Sequence, residues 1–225
     1  MGDILILAGD IVTFAGMKYH NDFFDNLSAN FKTIYWVPGN HEYYHSDINC
    51  KDDSFCEAIR HNLFLVNNTT AVHDDVKFIF STMWSIISPT NEGYVRMRLN
   101  DFHQIGHSGS LLSVSKFNSL HNESLAFIRH ELETGKNIKT VVVTHHVPTY
   151  LHYPEQFKGD ALNDAFAVEL FDMIESIGPD AWIYGHIHHN APNFEIGKTR
   201  LLTNQLGYVQ MDEHHRYKIN AIFTL

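Results

Sequence analysis

Four apolar, strand-like runs in this chain each end at a short polar motif, and this pattern constrains the fold more than any other feature. The polar residues that follow the four runs are Asp10, Asn40-His41, His145-His146 and His186-Ile187-His188. In α/β folds ligands bind beyond the carboxyl ends of the strands, so side chains from four strand ends can converge on one point. One Asp, one Asn and several His form a set that binds divalent metal ions. The sequence therefore predicts a metal site at the strand ends.

Strand-like runs alternate with helical patterns along most of the 225 residues. Apolar runs at residues 4–8 and 33–37 enclose phenylalanines and a leucine at helical spacing in residues 23–31, which predicts a β-α-β unit. Further strands are predicted at residues 63–67, 70–73, 76–81, 140–144, 181–184, 193–196, 199–203 and 217–224. Further helices are predicted at residues 117–132 and 166–177, which end at Gly135 and Gly178.

Two segments have weaker patterns. Ser54 and Glu57 match a capping box, which predicts a helix that continues through Ile59 and Leu63. Residues 85–113 are predicted to form a long loop, and loops of that length are usually functional or mobile.

Taken together, helices and strands alternate with extra hairpins, which favours two sheets flanked by helices over one open sheet. The length fits one domain over residues 1–225.

Composition and charge exclude several classes of protein. Sixteen basic against 26 acidic residues give a net charge of −10, which repels nucleic acid backbones and anionic membranes. No apolar run approaches the roughly 18 residues that a membrane span needs, and the N-terminus lacks the pattern of a signal peptide. The two cysteines, Cys50 and Cys56, form no metal or disulfide framework. We expect a cytoplasmic protein with neither nucleic acid nor membrane as a partner.

Each polar motif also has a simpler interpretation. Asn40 offers an oxygen ligand, and His41 beside it can donate a proton to a leaving group. The simpler interpretations are a polar turn tip at residues 38–42, a solvent-facing histidine pair at 186–188, a hydrogen-bonded core histidine at 145 and a helix cap at Asp10. Neither a phosphate-binding loop of the Walker type nor a G-x-S-x-G nucleophile motif is present.

The combination of motifs resembles the calcineurin-like metallophosphoesterase superfamily. The matching segments are Gly9-Asp10, Gly39-Asn40-His41-Glu42, Val143-Thr144-His145-His146 and Gly185-His186-Ile187-His188. The resemblance implies an α/β fold, namely a four-layer α/β/β/α sandwich of two mixed sheets flanked by helices. It also implies a metal-dependent hydrolase of phosphomonoesters or phosphodiesters, which uses a metal-activated hydroxide as its nucleophile. The substrate class would be a small phosphoester.

The resemblance also assigns roles to the motif residues. It implies two divalent metal ions, for which Mn, Fe, Zn and Ni all suit the ligands. Asp10 would bridge both ions, and His188 would belong to the second ion. Asn40, His145 and His186 would complete the first site, and His41 would be the candidate proton donor. Asp10 and His41 are thus the expected catalytic residues.

One motif of the superfamily, an Asp-x-His that precedes Gly-Asp by tens of residues, has no match here. The second metal site then keeps only Asp10 and His188 and can be empty. We expect the fold to lack its first strand, so that residues 4–8 form an apolar edge, and the chain to be N-terminally truncated relative to the family. The alternative function is a catalytically impaired binding or scaffold protein with an incomplete metal site.

Three further residues in the predicted loop have two interpretations each. Arg96 and Arg98 can bind substrate phosphate, or they can form surface salt bridges with the many carboxylates. Asp101 begins an Asp-x-His sequence that can supply replacement ligands or can be part of a polar loop.

Overall fold

The computed structural model describes residues 3–51, 53–134 and 138–225. Its strands, numbered along the chain, are β1 Ile4–Ala8, β2 Thr33–Val37, β3 Phe55–Arg60, β4 Leu63–Asn67, β5 Thr69–His73, β6 Val76–Ser81, β7 Gly106–His107, β8 Ser110–Leu111, β9 Lys139–Thr144, β10 Ala181–Ile183, β11 Phe194–Ile196 and β12 Thr199–Leu202. Its α-helices are α1 Asn21–Asn30, α2 Glu92–Arg98, α3 Asp101–Gln104, α4 Val114–Thr134 and α5 Phe171–Ile177.

Two mixed sheets form the centre of the fold. The first has the strand order β1-β2-β4-β3, with β1, β2 and β4 parallel and β3 antiparallel to β4. The second has the order β11-β12-β10-β9-β6-β5, with four parallel strands between two antiparallel edge strands. In the described residues β1 is an edge strand, and all five of its residues are half-buried. This agrees with the predicted apolar edge at residues 4–8.

Alternate residues of β2 pack into two different cores, which shows that the sheets and helices are stacked in layers. In β2, Tyr35 packs in a core with Phe80 and Val143 of the second sheet. Its neighbours Ile34 and Trp36 face the other way and pack with Phe24 of α1. This alternation is what the two-residue period of a strand produces.

On the far side of the second sheet, Val142 and Trp182 pack against helices α4 and α5 through Ile128 and Ile174. The order of layers is therefore helix, sheet, sheet, helix. The predicted four-layer sandwich of two mixed sheets flanked by helices is confirmed.

The predicted helix that begins at the Ser54–Glu57 capping box was wrong. These residues form β3, which pairs with β4 through a short turn at His61 and Asn62. Ser54 Oγ donates to the carbonyl oxygen of Asn68 instead of capping a helix. Phe55 is buried and Cys56 is exposed, so the first residues of β3 alternate as expected for a strand with one covered face.

Two other segments differ from the predictions. Residues 85–113 were predicted as a loop, but they contain α2, α3 and the β7-β8 hairpin. Their core includes Val95, Phe102 and Ile105, which pack with Phe117 of α4. The predicted strand at 217–224 is absent from the described residues, because its backbone joins neither sheet.

The other predicted elements occur close to the expected positions. The helix predicted at 166–177 begins five residues later, at Phe171, and ends before Gly178 as expected. Gly135, the predicted stop of α4, lies outside the described residues. Among the described helices, none combines the length and the apolar character needed to cross a bilayer.

Candidate metal centre

The ends of the neighbouring parallel strands β1 and β2 are joined by the carboxylate of Glu42, which is fully buried. Its Oε2 accepts hydrogen bonds from the backbone N–H groups of Asp10 at 2.9 Å and Gly39 at 2.6 Å. Its Oε1 accepts from the backbone N–H of Ile11 at 2.6 Å and from Trp36 Nε1 at 3.2 Å. Burial and the nearby Asp10 raise the pKa of Glu42, whereas the N–H donors favour its ionised form. Glu42 thus fixes both loops relative to each other.

Asp10 occupies the turn that follows β1, with a left-handed backbone (φ 59°) that is uncommon outside glycine. Its Oδ1 accepts the backbone N–H of His41 at 3.1 Å and lies 3.4 Å from His145 Nε2. Among the described residues, none hydrogen-bonds to its buried Oδ2. Burial disfavours the charged form, but the interactions with His145 outweigh it and hold the pKa of Asp10 well below its usual range. Asp10 therefore presents an ionised carboxylate.

His145 directs one ring nitrogen toward Asp10. Its Nδ1 lies 2.8 Å from the carbonyl oxygen of Ala8, which can only accept, so Nδ1 carries a proton. Its Nε2 faces Asn40 Oδ1 at 3.2 Å and His186 Nδ1 at 2.9 Å. Burial lowers the pKa of His145, but Asp10 and the Ala8 carbonyl more than compensate and raise it. His145 Nε2 thus lies where positive charge is favoured.

His186 follows β10 and also has a left-handed backbone (φ 74°). Its ring lies between Phe166 and His146, with ring centroids 4.6 Å and 4.3 Å apart. Its Nε2 is buried and has no hydrogen-bond partner in the described part of the chain. Burial and the neighbouring imidazoles lower the pKa of His186 well below its usual value. The ring is therefore neutral near pH 7, which is the form that binds metal.

Glycines allow the strand ends to approach this closely. A Cβ added at Gly39 would lie 2.6 Å from His145 Nε2 and would also overlap Asp10 Oδ1. A Cβ added at Gly185 would lie 2.6 Å from the carbonyl oxygen of Ala8. Both contacts are too short for real Cβ atoms, so the glycines of these motifs are needed for packing as well as for turning the chain.

The arrangement of acceptor atoms fits a divalent cation. Ligand atoms of Asp10, His145 and His186 all lie within 4.8 Å of one another, and Asn40 Oδ1 is adjacent. The Oδ1 atoms of Asp10 and Asn40 both face His145 Nε2, and all three carry lone pairs when the ring is neutral. Such a set requires positive charge at its centre, either a proton or a metal ion. Carboxylate, amide and imidazole donors are ligands of divalent transition metals.

The other two histidines of the motifs lie at the border of this cluster. His41 stacks its ring on Tyr44 with centroids 4.4 Å apart. His188 has its Nδ1 2.9 Å from Glu213 Oε2, and its ring meets the edge of the Tyr208 ring. His188 is not part of the group whose ligand atoms lie within 4.8 Å of one another. Its role as a ligand of a second ion stays a prediction.

Residues 1–190 match the family described as calcineurin-like phosphoesterase. The chain belongs to this family. This confirms the resemblance drawn from the four motifs.

One relative and one solved structure illustrate what this chain is similar to. An uncharacterized protein, L509, of Acanthamoeba polyphaga mimivirus is 30% identical over 218 residues, which cover 88% of this chain and 75% of that protein. The crystal structure of phosphopantetheinyl hydrolase (PptH) from Mycobacterium tuberculosis is similar with a TM-score of 0.66 and 16% identity. That similarity covers 96% of this chain and 83% of the hydrolase, and it shows a shared fold.

The two arginines predicted to bind substrate lie on α2, and both are exposed. Arg96 lines a surface cavity of about 630 Å³ together with Met97 and His103, and this cavity contains none of the clustered residues. The Arg98 guanidinium lies 5.3 Å from the ring centroid of Tyr94. Within the described ranges, neither arginine hydrogen-bonds to the clustered residues. The structure therefore does not bring them into the candidate site.

Three carboxylates contact the candidate ligands or their loops in ways that the sequence did not predict. Glu42 stood in a recognised motif, but its link to the Asp10 loop depends on contacts about 30 residues apart. Asp101 matched an Asp-x-His sequence, but it contacts Asn40, whereas His103 of that sequence is exposed and lies 3.2 Å from the carbonyl oxygen of Met97. Glu213 reaches His188 from the segment after β12, and no local sequence signal identifies it.

Proposed function

We propose that this protein is a metal-dependent hydrolase of phosphomonoesters or phosphodiesters. The observation that carries the proposal is the set of acceptor atoms from Asp10, Asn40 and His145 that face one another in a buried cluster with His186. Membership in the calcineurin-like phosphoesterase family supports the reaction class. Phosphopantetheinyl hydrolase (PptH) shares the fold, although 16% identity does not carry its substrate over to this chain.

The chain's own residues would divide the work between binding and proton transfer. Asp10, Asn40, His145 and His186 would hold one ion of Mn, Fe, Zn or Ni, and Asp10 with His188 would hold a second. Bound divalent ions stabilise the charge of a phosphoryl group and lower the pKa of water, so that hydroxide is available near neutral pH.

His41 is the proposed proton donor to the leaving oxygen. Its backbone N–H is bonded to Asp10 Oδ1, which places this residue next to the cluster. Its ring is stacked on Tyr44, which restricts how the imidazole can rotate. A histidine held beside the reacting group can protonate the leaving alkoxide or aryloxide as its bond to phosphorus breaks.

The proposed substrate is a small phosphoester. The net charge of −10 opposes the approach of long polyanions such as nucleic acids. Local positive charge in the loaded site would compensate for a single phosphoryl group, but not for an extended phosphate backbone.

The test is hydrolysis of an aryl phosphate and of a bis-aryl phosphodiester by the full chain with added Mn²⁺. Asp10→Ala and His186→Ala should each abolish hydrolysis, because each removes a ligand. His103→Ala is the matched control, since this exposed histidine lies in the surface cavity beside Arg96, and it should leave the rate unchanged. Equal rates in the wild-type chain and Asp10→Ala would refute the proposal.

A specific observation favours a second candidate, a metal-binding protein of this fold with one ion and no turnover. His188 is already paired with Glu213, and the ligand atoms that cluster are those of a single site. Elemental analysis of the purified protein separates the two candidates. Two metal ions per chain with hydrolysis support the enzyme; one ion per chain without hydrolysis supports the binding protein.

A further inference from the structure

Asp101 is a buried carboxylate that contacts the candidate metal centre from outside the strand ends. It is the first residue of α3, in the segment between β6 and α4, and it is 1% exposed. Its Oδ1 accepts hydrogen bonds from Asn40 Nδ2 at 2.7 Å and from the hydroxyl of Tyr44 at 2.8 Å. Its Oδ2 is buried, and no residue that the structure describes hydrogen-bonds to it. A buried carboxylate in this position needs an explanation.

The contact with Asp101 decides which way the Asn40 amide points. Asp101 Oδ1 accepts from both Asn40 and the Tyr44 hydroxyl, so the NH₂ group of Asn40 points toward Asp101. The amide oxygen then faces His145 Nε2 at 3.2 Å, on the side of the candidate metal site. In the flipped amide the NH₂ group would face the site, and an amide nitrogen is not a metal ligand.

The position of Asp101 is itself fixed by contacts on both sides. Phe102 and Ile105 are buried in the core that includes Phe117. The backbone N–H of His45 donates to the carbonyl oxygen of Gln104 at 2.8 Å, which ties α3 to the turn after His41. The carboxylate is therefore held in place before any ion binds, which lowers the cost of ordering the site.

We propose that Asp101 is a positioning residue that orients the Asn40 amide so that its oxygen is available to a divalent cation. The proposal rests on the proposed function only in assigning Asn40 as a metal ligand, and it concerns cation affinity and not turnover. Residues that hold metal ligands in this way typically contribute about 10-fold to 100-fold in affinity.

The test is the affinity of the metal-free full chain for Mn²⁺, measured by isothermal titration calorimetry. Asp101→Leu removes the acceptor and should weaken binding about 10-fold to 100-fold. Asp101→Asn keeps one carbonyl oxygen that can accept from Asn40, so it should retain affinity within about threefold of wild type. Asp101→Ser serves if the leucine variant does not fold, because its shorter side chain no longer reaches the amide.

Two controls make the result specific. Asp180→Asn changes a carboxylate that accepts the backbone N–H of Thr140, at the start of the strands and far from their site end, and it should leave affinity unchanged. In an Asn40→Ala background, Asp101→Leu should cause no further loss, because no amide remains to be oriented.

The possible outcomes separate this inference from the proposed function. Equal losses in Asp101→Leu and Asp101→Asn would show that the charge matters and not the orientation, and would overturn the inference. Full affinity in Asp101→Leu would overturn it as well, while the proposed function would stand. A wild-type chain that binds none of Mn²⁺, Fe²⁺, Zn²⁺ and Ni²⁺ would refute both.

Discussion

Two glutamates hold the candidate metal ligands, and they do so from different parts of the molecule. Glu42 is fully buried at the ends of β1 and β2, where it fixes the loops of Asp10 and Asn40. Glu213 has a side chain that is 31% exposed, and it accepts from Tyr208 N at 2.6 Å and contacts His188 Nδ1 at 2.9 Å.

The difference separates a preformed half of the site from an adaptable half. The first half is built on parallel strands of two packed sheets, and its carboxylate is surrounded by N–H donors. The second half depends on the segment that follows β12, which contains only short 3₁₀ turns. Segments with few buried contacts open at lower free energy than core strands do. We expect the two halves to respond differently to substitution.

Glu42→Ala should have the largest effect of the predicted substitutions. It leaves buried N–H groups of two loops without an acceptor, so the free energy of unfolding should fall by about 3–5 kcal/mol. Urea denaturation followed by circular dichroism measures this change. Glu213→Ala, by contrast, should lower stability by no more than about 1 kcal/mol, since its ion pair is partly exposed. Similar losses in both variants would remove the distinction between the two halves.

Gly39→Ala should disrupt the preformed half without changing any charge. The added methyl group would overlap Asp10 and His145, which should cost about 1–3 kcal/mol and weaken Mn²⁺ binding at least about tenfold. Gly93→Ala is the matched control, because nothing lies within 4 Å of its Cβ position in α2. It should raise stability by about 0.5–1 kcal/mol and leave binding unchanged. Normal binding by Gly39→Ala would mean that the cluster is looser than the structure indicates.

Glu213→Ala should affect the adaptable half alone. Loss of the carboxylate frees the His188 ring, so in the proposed two-ion site the affinity for the second ion should fall about tenfold while the first ion binds normally. Calorimetric titration with Mn²⁺ resolves the two events. Glu155→Ala, which breaks the exposed pair with Lys158, should change neither event. Equal weakening of both events would show that the halves are coupled.

Acid should have the smallest of the four effects, and it should act outside both halves, where the buried ring of His121 on α4 lies against the carbonyl oxygen of Trp84. Burial lowers the pKa of His121 below its ordinary value of 6.5, so the unfolded chain takes up this proton more readily. The contribution to stability is therefore complete above pH 6.5 and is lost as the pH falls, by at most ~1.4 kcal/mol per pH unit. Urea midpoints at pH 7.5 and 5.5 should differ less in His121→Gln than in wild type. An unchanged difference would contradict this assignment.

The elements that the sequence predicted correctly are those with long, unambiguous apolar patterns. Strands β1, β2, β4 and β6 have the predicted bounds. Each is a mostly apolar run, and such a run is stable when it is buried inside a layered sheet. Residues 54–60 were mispredicted because Ser54 and Glu57 satisfy a helix signal while pairing with β4 requires a strand. Residues 54–60 form a strand because they pair with residues 63–67, and the spacing of residues within 54–60 carries no information about that pairing.

The metal cluster was predictable for a related reason. The residues that converge come directly after strands. Because parallel strands end at the same edge of a sheet, the residues that follow them lie at the same edge. Asp101 reaches Asn40 across 61 positions, and Glu213 reaches His188 across 25. Such contacts are set by how the connecting segments pack, and a single sequence carries no periodic signal for them.

Asp10, His186 and His188 all have the left-handed backbone that suits glycine, with φ values of 59°, 74° and 50°. Each such residue costs the folded state of order 1 kcal/mol. Replacing them with glycine would relieve that cost and would remove three proposed metal ligands. Laboratory evolution for heat resistance alone should therefore drift toward glycine at these three positions and erase the proposed metal site, unless each round is also screened for bound metal.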